Sequence, residues 1–125
     1  MRIMVEASGI LKSLVYFVWY QFATMRQTYQ STVRQHGKIL ICDILDKSGV
    51  VDTYGATQVL QDELLAEADI ISLHVPLTEL TQGMVNEESL QKMKPTAYLI
   101  NNSRGPVVEQ QALKKALQQN IIAGA

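Results

Sequence analysis

The sequence predicts an α/β fold, a parallel sheet covered by helices, and three observations carry that reading. First, from Gly37 onward short apolar runs alternate with amphipathic stretches, the rhythm of strand–helix–strand units. Second, the runs KILIC (38–42), DIISLHV (69–75) and TAYLI (96–100) are continuously apolar. Strands buried on both faces read this way, whereas antiparallel hairpins with one wet face alternate. Third, each run stops abruptly on polar residues or proline: Asp43, then His74-Val75-Pro76, then Asn102-Ser103-Arg104.

The elements follow in order. LVYFVWYQFA (14–23) reads as a buried strand. It falls short of the ~20 residues of a spanning helix, and no small-residue cleavage site follows it, so a buried strand is the main reading and an interfacial or signal-like role the lesser alternative. Met25, Tyr29 and Val33 then fall at helical spacing. Residues 38–42 form the next strand, and 44–58, with Gly49 and Gly55, read mostly as loop. In 60–68, Leu60, Leu64, Leu65 and Ala68 share one helical face. Asn86 caps a helix over 86–93 with acids in its first turn, and Pro95 ends it. Ala112, Leu113, Ala116 and Leu117 mark a helix within 109–120. IIAGA begins a further strand, and Ala125 reads as a truncation point. No repeat, low-complexity tract or linker interrupts the chain.

Composition narrows the function classes. A chain of 125 residues suffices for one core. The net charge of −1 and the pI near 6.1, with no basic stripe, give nucleic acid no electrostatic purchase. The single cysteine, Cys42, excludes an internal disulfide and fits a reducing cytoplasm.

In open parallel sheets ligands bind outside the carboxyl ends of the strands, so the three polar strand ends are the candidate site. Asp43 can accept both ribose hydroxyls of an adenosine and repel a 2′-phosphate, or it can be an ordinary turn aspartate. His74 closes its strand, and Pro76 ends ladder pairing, leaving backbone to lie against a base or ribose. Arg104 offers a planar fork of donors suited to a carboxylate, and Gly105 frees the backbone to bend toward a ligand. The structural alternative is an Arg104–Glu109 ion pair.

Together these stretches resemble the NAD-binding domain of the D-isomer-specific 2-hydroxyacid dehydrogenases. The likeness runs without an evident gap from Asp62 to Ala125 and more loosely over 37–60, through LHVPLT, MKPTAYLINNSRG and VV followed by AL-KKAL. The resemblance implies a partial, Rossmann-like doubly wound parallel sheet with helices on both faces, and NAD as cofactor. It implies that Asp43 holds the adenosine ribose, and that His74, Val75 and Pro76 line the adenine side. Asn102, Ser103 and Arg104 would line the nicotinamide end, with Arg104 clamping the carboxylate of a small 2-hydroxy or 2-oxo acid. The chain also departs from the family. The glycine-rich phosphate loop should fall near Gln21–Arg26, yet no glycine lies between Gly9 and Gly37. The expected domains are therefore a divergent strand–helix segment, 1–36, and a partial NAD-binding domain, 37–125. The family's catalytic glutamate and histidine would lie beyond residue 125, and His36 and His74 do not replace them by position. The expectation is a cytoplasmic dehydrogenase fragment, an oxidoreductase by family and inactive alone. It involves neither membrane nor nucleic acid, and the alternative is a nucleotide-binding or self-associating module. The geometric expectation is that side-by-side strands bring Asp43, His74 and Arg104 to one rim.

Overall fold

The computed structural model describes residues 13–18, 38–43, 46 and 56–125, with backbone alone at 13–18, 38 and 39. Among the described residues five strands form one sheet: β1 (Ser13–Val18), β2 (Lys38–Ile41), β3 (Ala56–Gln58), β4 (Ile70–His74) and β5 (Tyr98–Asn101). Their order is β3-β2-β1-β4-β5, and every pairing is parallel. The helices among the described residues are α1 (Gln61–Glu67), α2 (Glu87–Lys92) and α3 (Gln110–Gln118), with a 3-10 turn at Gly105–Val107.

The first described strand, β1, lies at the centre of the sheet; the order then steps outward through β2 to β3 and crosses back over β1 to β4 and β5. This is a doubly wound sheet, and its direction reverses between β1 and β4. The expectation of side-by-side strands needs one correction, because the runs at 39–42 and 70–74 do not pair with each other. β1 lies between them.

Burial explains the continuous apolar runs. Successive strand residues point to opposite faces. Leu40 and Ile41 are both sealed, as are Ile71, Ser72 and Leu73, so the sheet is covered on both sides at β2 and β4. Leu64, Leu65 and Ala68 of the α1 segment, Leu90 and Met93 around α2, and Ala112 and Ala116 of α3 join Leu40, Ile71, Leu73 and Leu99 in one core.

Local chemistry sets the helix ends. Asn86 Oδ1 accepts from the Ser89 amide at 3.0 Å, with Glu87 and Glu88 in the first turn of α2 and Lys92 in its last. Before α2, Gly83 sits at φ +63°, a conformation that favours glycine.

Three expectations change. Ala56–Gln58 is a strand, not loop: it pairs with Ile39–Ile41, and Val59 N continues onto Ile41 O at 2.8 Å. Leu60 does not join the buried face of α1. It is the residue before the helix, extended at φ −74° and ψ 158°, and is 79% exposed. β5 is covered on one face only, with Leu99 buried while Tyr98 and Ile100 are open. The further strand expected at IIAGA begins as a bridge between Tyr98 and Gly124, with Leu99 N donating to Gly124 O at 3.0 Å. Expectations resting on residues 19–37, including the phosphate loop at Gln21–Arg26, the helix through Met25, Tyr29 and Val33, and His36, lie outside the described residues.

Candidate functional site

Parallel strands end on one side of a sheet, and the register shows how nearly level these ends are. Val18 is opposite His74, and Leu73 is opposite Asn101. Ile41 is opposite Tyr16, so Asp43, two residues on, follows β2 at the height where β1 reaches Val18. The sheet therefore gathers Asp43, His74 and Asn102 on one rim. His74 stands where the strand order reverses, the place at which neighbouring loops diverge and open a crevice.

Asp43 is half-buried, and its carbonyl oxygen accepts from Gln58 Nε2 at 3.4 Å. Beside it, the Cys42 thiol is pushed up from its ordinary value by burial first and by the Asp43 charge second. Cys42 is thus a protonated, packing cysteine at neutral pH, not a thiolate nucleophile.

His74 is also half-buried, and desolvation lowers its pKa below the ordinary 6.5. Its Nε2 lies 2.8 Å from Ser72 Oγ, which also accepts from Asn102 Nδ2 at 3.1 Å. Val75 is buried and Pro76 exposed. The Val75 amide donates to Ser103 Oγ at 2.7 Å, and the Asn102 amide donates to Leu73 O at 3.1 Å. The loops after β4 and β5 are thereby stitched together through Ser72, Asn102 and Ser103.

Arg104 leaves this stitched segment. Asn101 folds the turn from inside: its Oδ1 accepts from the Ser103 amide and its Nδ2 donates to Arg104 O, each at 2.9 Å. The Arg104 side chain is exposed and donates from Nη1 to Ser103 O at 3.1 Å. The alternative Arg104–Glu109 ion pair does not form among the described residues. Gly105 plays a lesser part than expected. A Cβ there would meet nothing within 4 Å, and its φ lies outside the positive region, so neither backbone nor neighbours demand glycine.

Sequence reasoning passed over Ser72, Thr81 and Asn101. Ser72 had a usable signal, being the one polar side chain inside an apolar run and two residues from His74, hence on the same face. Thr81 is sealed, and its Oγ1 donates to Pro76 O at 2.5 Å, tying down the loop after β4. Nothing in TELT marks that role in advance. Among the described residues no cluster of His, Cys, Asp or Glu could hold a metal, and no helix is long and apolar enough to cross a membrane.

Comparison with known proteins identifies the domain. The family model for the NAD binding domain of D-isomer specific 2-hydroxyacid dehydrogenases matches residues 26–125. A glyoxylate reductase of Thermofilum pendens is 61% identical over 64 residues, covering 51% of this chain and 19% of the relative. A D-3-phosphoglycerate dehydrogenase of Synechocystis is 43% identical over 88 residues, covering 70% and 16%. Among solved structures, an NAD-complexed D-isomer specific 2-hydroxyacid dehydrogenase of Lactobacillus delbrueckii superposes with a TM-score of 0.78 at 35% identity. That match covers 92% of this chain and 33% of the other. The chain thus spans about a fifth of the first of these relatives and a third of the solved one.

Proposed function

This chain belongs to the D-isomer-specific 2-hydroxyacid dehydrogenase family through its NAD-binding domain, and on that premise we propose that its rim binds the adenosine part of NAD. The observation that carries the reading is the register of β1 against β4, which puts His74 at the reversal of strand order with Asp43 and Asn102 to either side.

The residues fit the cofactor at two places. The Asp43 carboxylate, at the end of β2, would accept the two hydroxyls of the adenosine ribose and disfavour a 2′-phosphate there. His74, Val75 and Pro76 would flank the adenine side. At the far end Asn102, Ser103 and Arg104 would face the nicotinamide, and the exposed Arg104 guanidinium would clamp the carboxylate of a 2-oxo or 2-hydroxy acid. When bound, NAD supplies hydride acceptance. The chain's own contribution is to hold and orient the two reactants.

The fit fails at the pyrophosphate. In this fold that group lies over the turn after the first strand, where glycines let backbone amides approach it. Residues 19–36 contain none. In this reading 1–36 is the divergent segment and 37–125 the partial NAD-binding domain, although the family match already begins at residue 26 and β1 contributes to the same sheet. Among the described residues none at the rim has the place of a general acid–base pair, and in this reading these 125 residues bind without turning over.

Isothermal titration calorimetry tests the reading. Asp43→Ala weakens NAD binding about 10- to 100-fold, the loss of a charge-assisted hydrogen-bond pair worth about 1.5–3 kcal/mol. Unchanged affinity refutes it. Separately, NADH oxidation with glyoxylate, hydroxypyruvate or pyruvate is absent. A steady rate abolished by Arg104→Ala overturns the claim of inactivity.

A second reading draws on Tyr98 and Ile100, which leave one face of β5 open. It makes the chain a self-associating module, and light scattering separates the two, since a monomer that binds NAD removes it.

A further inference from the structure

Ser72 is a hydroxyl in the middle of a strand, 3% exposed, with side chains reaching it from two directions. Asn102 presents its amide nitrogen, Nδ2, at 3.1 Å. An amide nitrogen only donates, so Ser72 Oγ accepts there. The hydroxyl has one proton to give, and the other group in reach is His74 Nε2 at 2.8 Å. Were Nε2 to carry a proton, it would donate to Ser72 as well. The serine would then accept twice, and its own buried proton would have no acceptor among the described residues. Buried hydroxyls avoid that state. The direction of the chain is therefore Asn102 to Ser72 to His74.

Histidine has two distinct ring nitrogens, and the hydrogen bond made by one decides where the proton sits on the other. We propose that Asn102 and Ser72 fix His74 as its Nδ1–H tautomer, so that the ring offers the rim a hydrogen-bond donor and selects an acceptor oxygen of a bound nucleotide. Ser72 and Asn102 are positioning residues that act through His74. The ligand half of this inference rests on the nucleotide-binding reading. The tautomer half does not, because it concerns the protein alone.

Three features on the page agree. Ser72 and His74 are two residues apart on β4, so they share a face of the sheet. The Asn102 amide is pinned to Leu73 O at 3.1 Å, which sets the start of the loop and brings its side chain back over Ser72. His74 is half-buried at the point where the strand order reverses, beside the crevice such a reversal opens.

Long-range 1H–15N correlation spectra of the full chain, recorded above neutral pH, read the tautomer directly. His36→Gln assigns the two histidines. The expected spectrum shows His74 with Nδ1 protonated and Nε2 bare. Protonated Nε2 in the unaltered chain means that the relay runs the other way, and it overturns the inference without any variant. Ser72→Thr, which keeps the hydroxyl, preserves the pattern, while Ser72→Ala shifts His74 toward Nε2–H. An unchanged tautomer in a folded Ser72→Ala chain also overturns it.

Calorimetry with NAD then tests the ligand half. About tenfold weaker binding in Ser72→Ala, restored in Ser72→Thr, supports the donor role, and equal affinity refutes it. If the unaltered chain shows the expected tautomer and no heat with NAD, the nucleotide-binding reading and the donor role fall together. The relay within the protein stands.

Discussion

Half-burial of His74 makes one residue report on folding through pH. Desolvation lowers its pKa in the folded chain below the 6.5 it has when unfolded. A group that binds its proton less readily when folded contributes its full stability above the unfolded value. That contribution is lost as pH falls below 6.5 toward the folded value, because there the unfolded chain takes up the proton first. Urea midpoints measured at about pH 8 and about pH 5.5 should therefore fall more in the unaltered chain than in His74→Gln, with carboxylate titration common to both. Equal falls show that His74 is solvated. His74 is legible in the sequence through its place at a strand end. The signal for Ser72 as its partner, a spacing of two that puts both on one face, is weaker, because a serine inside an apolar run is as readily a tolerated small residue as a hydrogen-bonding one.

Among the elements, those with strong periodicity were legible and those set by neighbours were not. The helices over 61–67, 87–92 and 110–118 fall inside the spans that apolar spacing marks, and Asn86 caps as its residue type suggests. β3 was missed because three residues, Ala56 to Gln58, carry no period of their own. They become a strand only by pairing with β2. β5 misled in the opposite direction, since YLI reads as doubly buried, yet Tyr98 and Ile100 face an open side. The pairing beyond β5 has its own steric requirement. A Cβ on Gly124 would lie 2.8 Å from Tyr98 Cε1 and 2.9 Å from Cδ1, inside ordinary contact distance. Gly124→Ala should thus displace the ring and cost about 1 kcal/mol. The same change in a Tyr98→Ala background should cost at least about 0.5 kcal/mol less, a coupling that a double-mutant cycle by urea denaturation resolves. Additive effects would show that the ring swings aside freely.

At the scale of the whole molecule, the feature that no local pattern revealed is the central place of β1. The apolar run at 14–20 reads as a strand, but its position between β2 and β4 follows only from the crossover that returns the chain from the β3 edge. That position decides what the molecule can bind. The turn after the central strand is where a dinucleotide fold brings backbone amides to the pyrophosphate, and the residues after Val18 hold no glycine before Gly37. On the proposed reading the diphosphate finds no glycine-assisted amides in that stretch, while a ribose contact at Asp43 would be common to every adenosine ligand. AMP and NAD should accordingly bind this chain with affinities less than tenfold apart, a difference below about 1.4 kcal/mol. Both should weaken together in Asp43→Ala. Competition calorimetry decides the matter. NAD binding far tighter than AMP binding would mean that residues 19–37 supply phosphate donors by another route, and Arg26→Ala would then be the variant that removes the surplus.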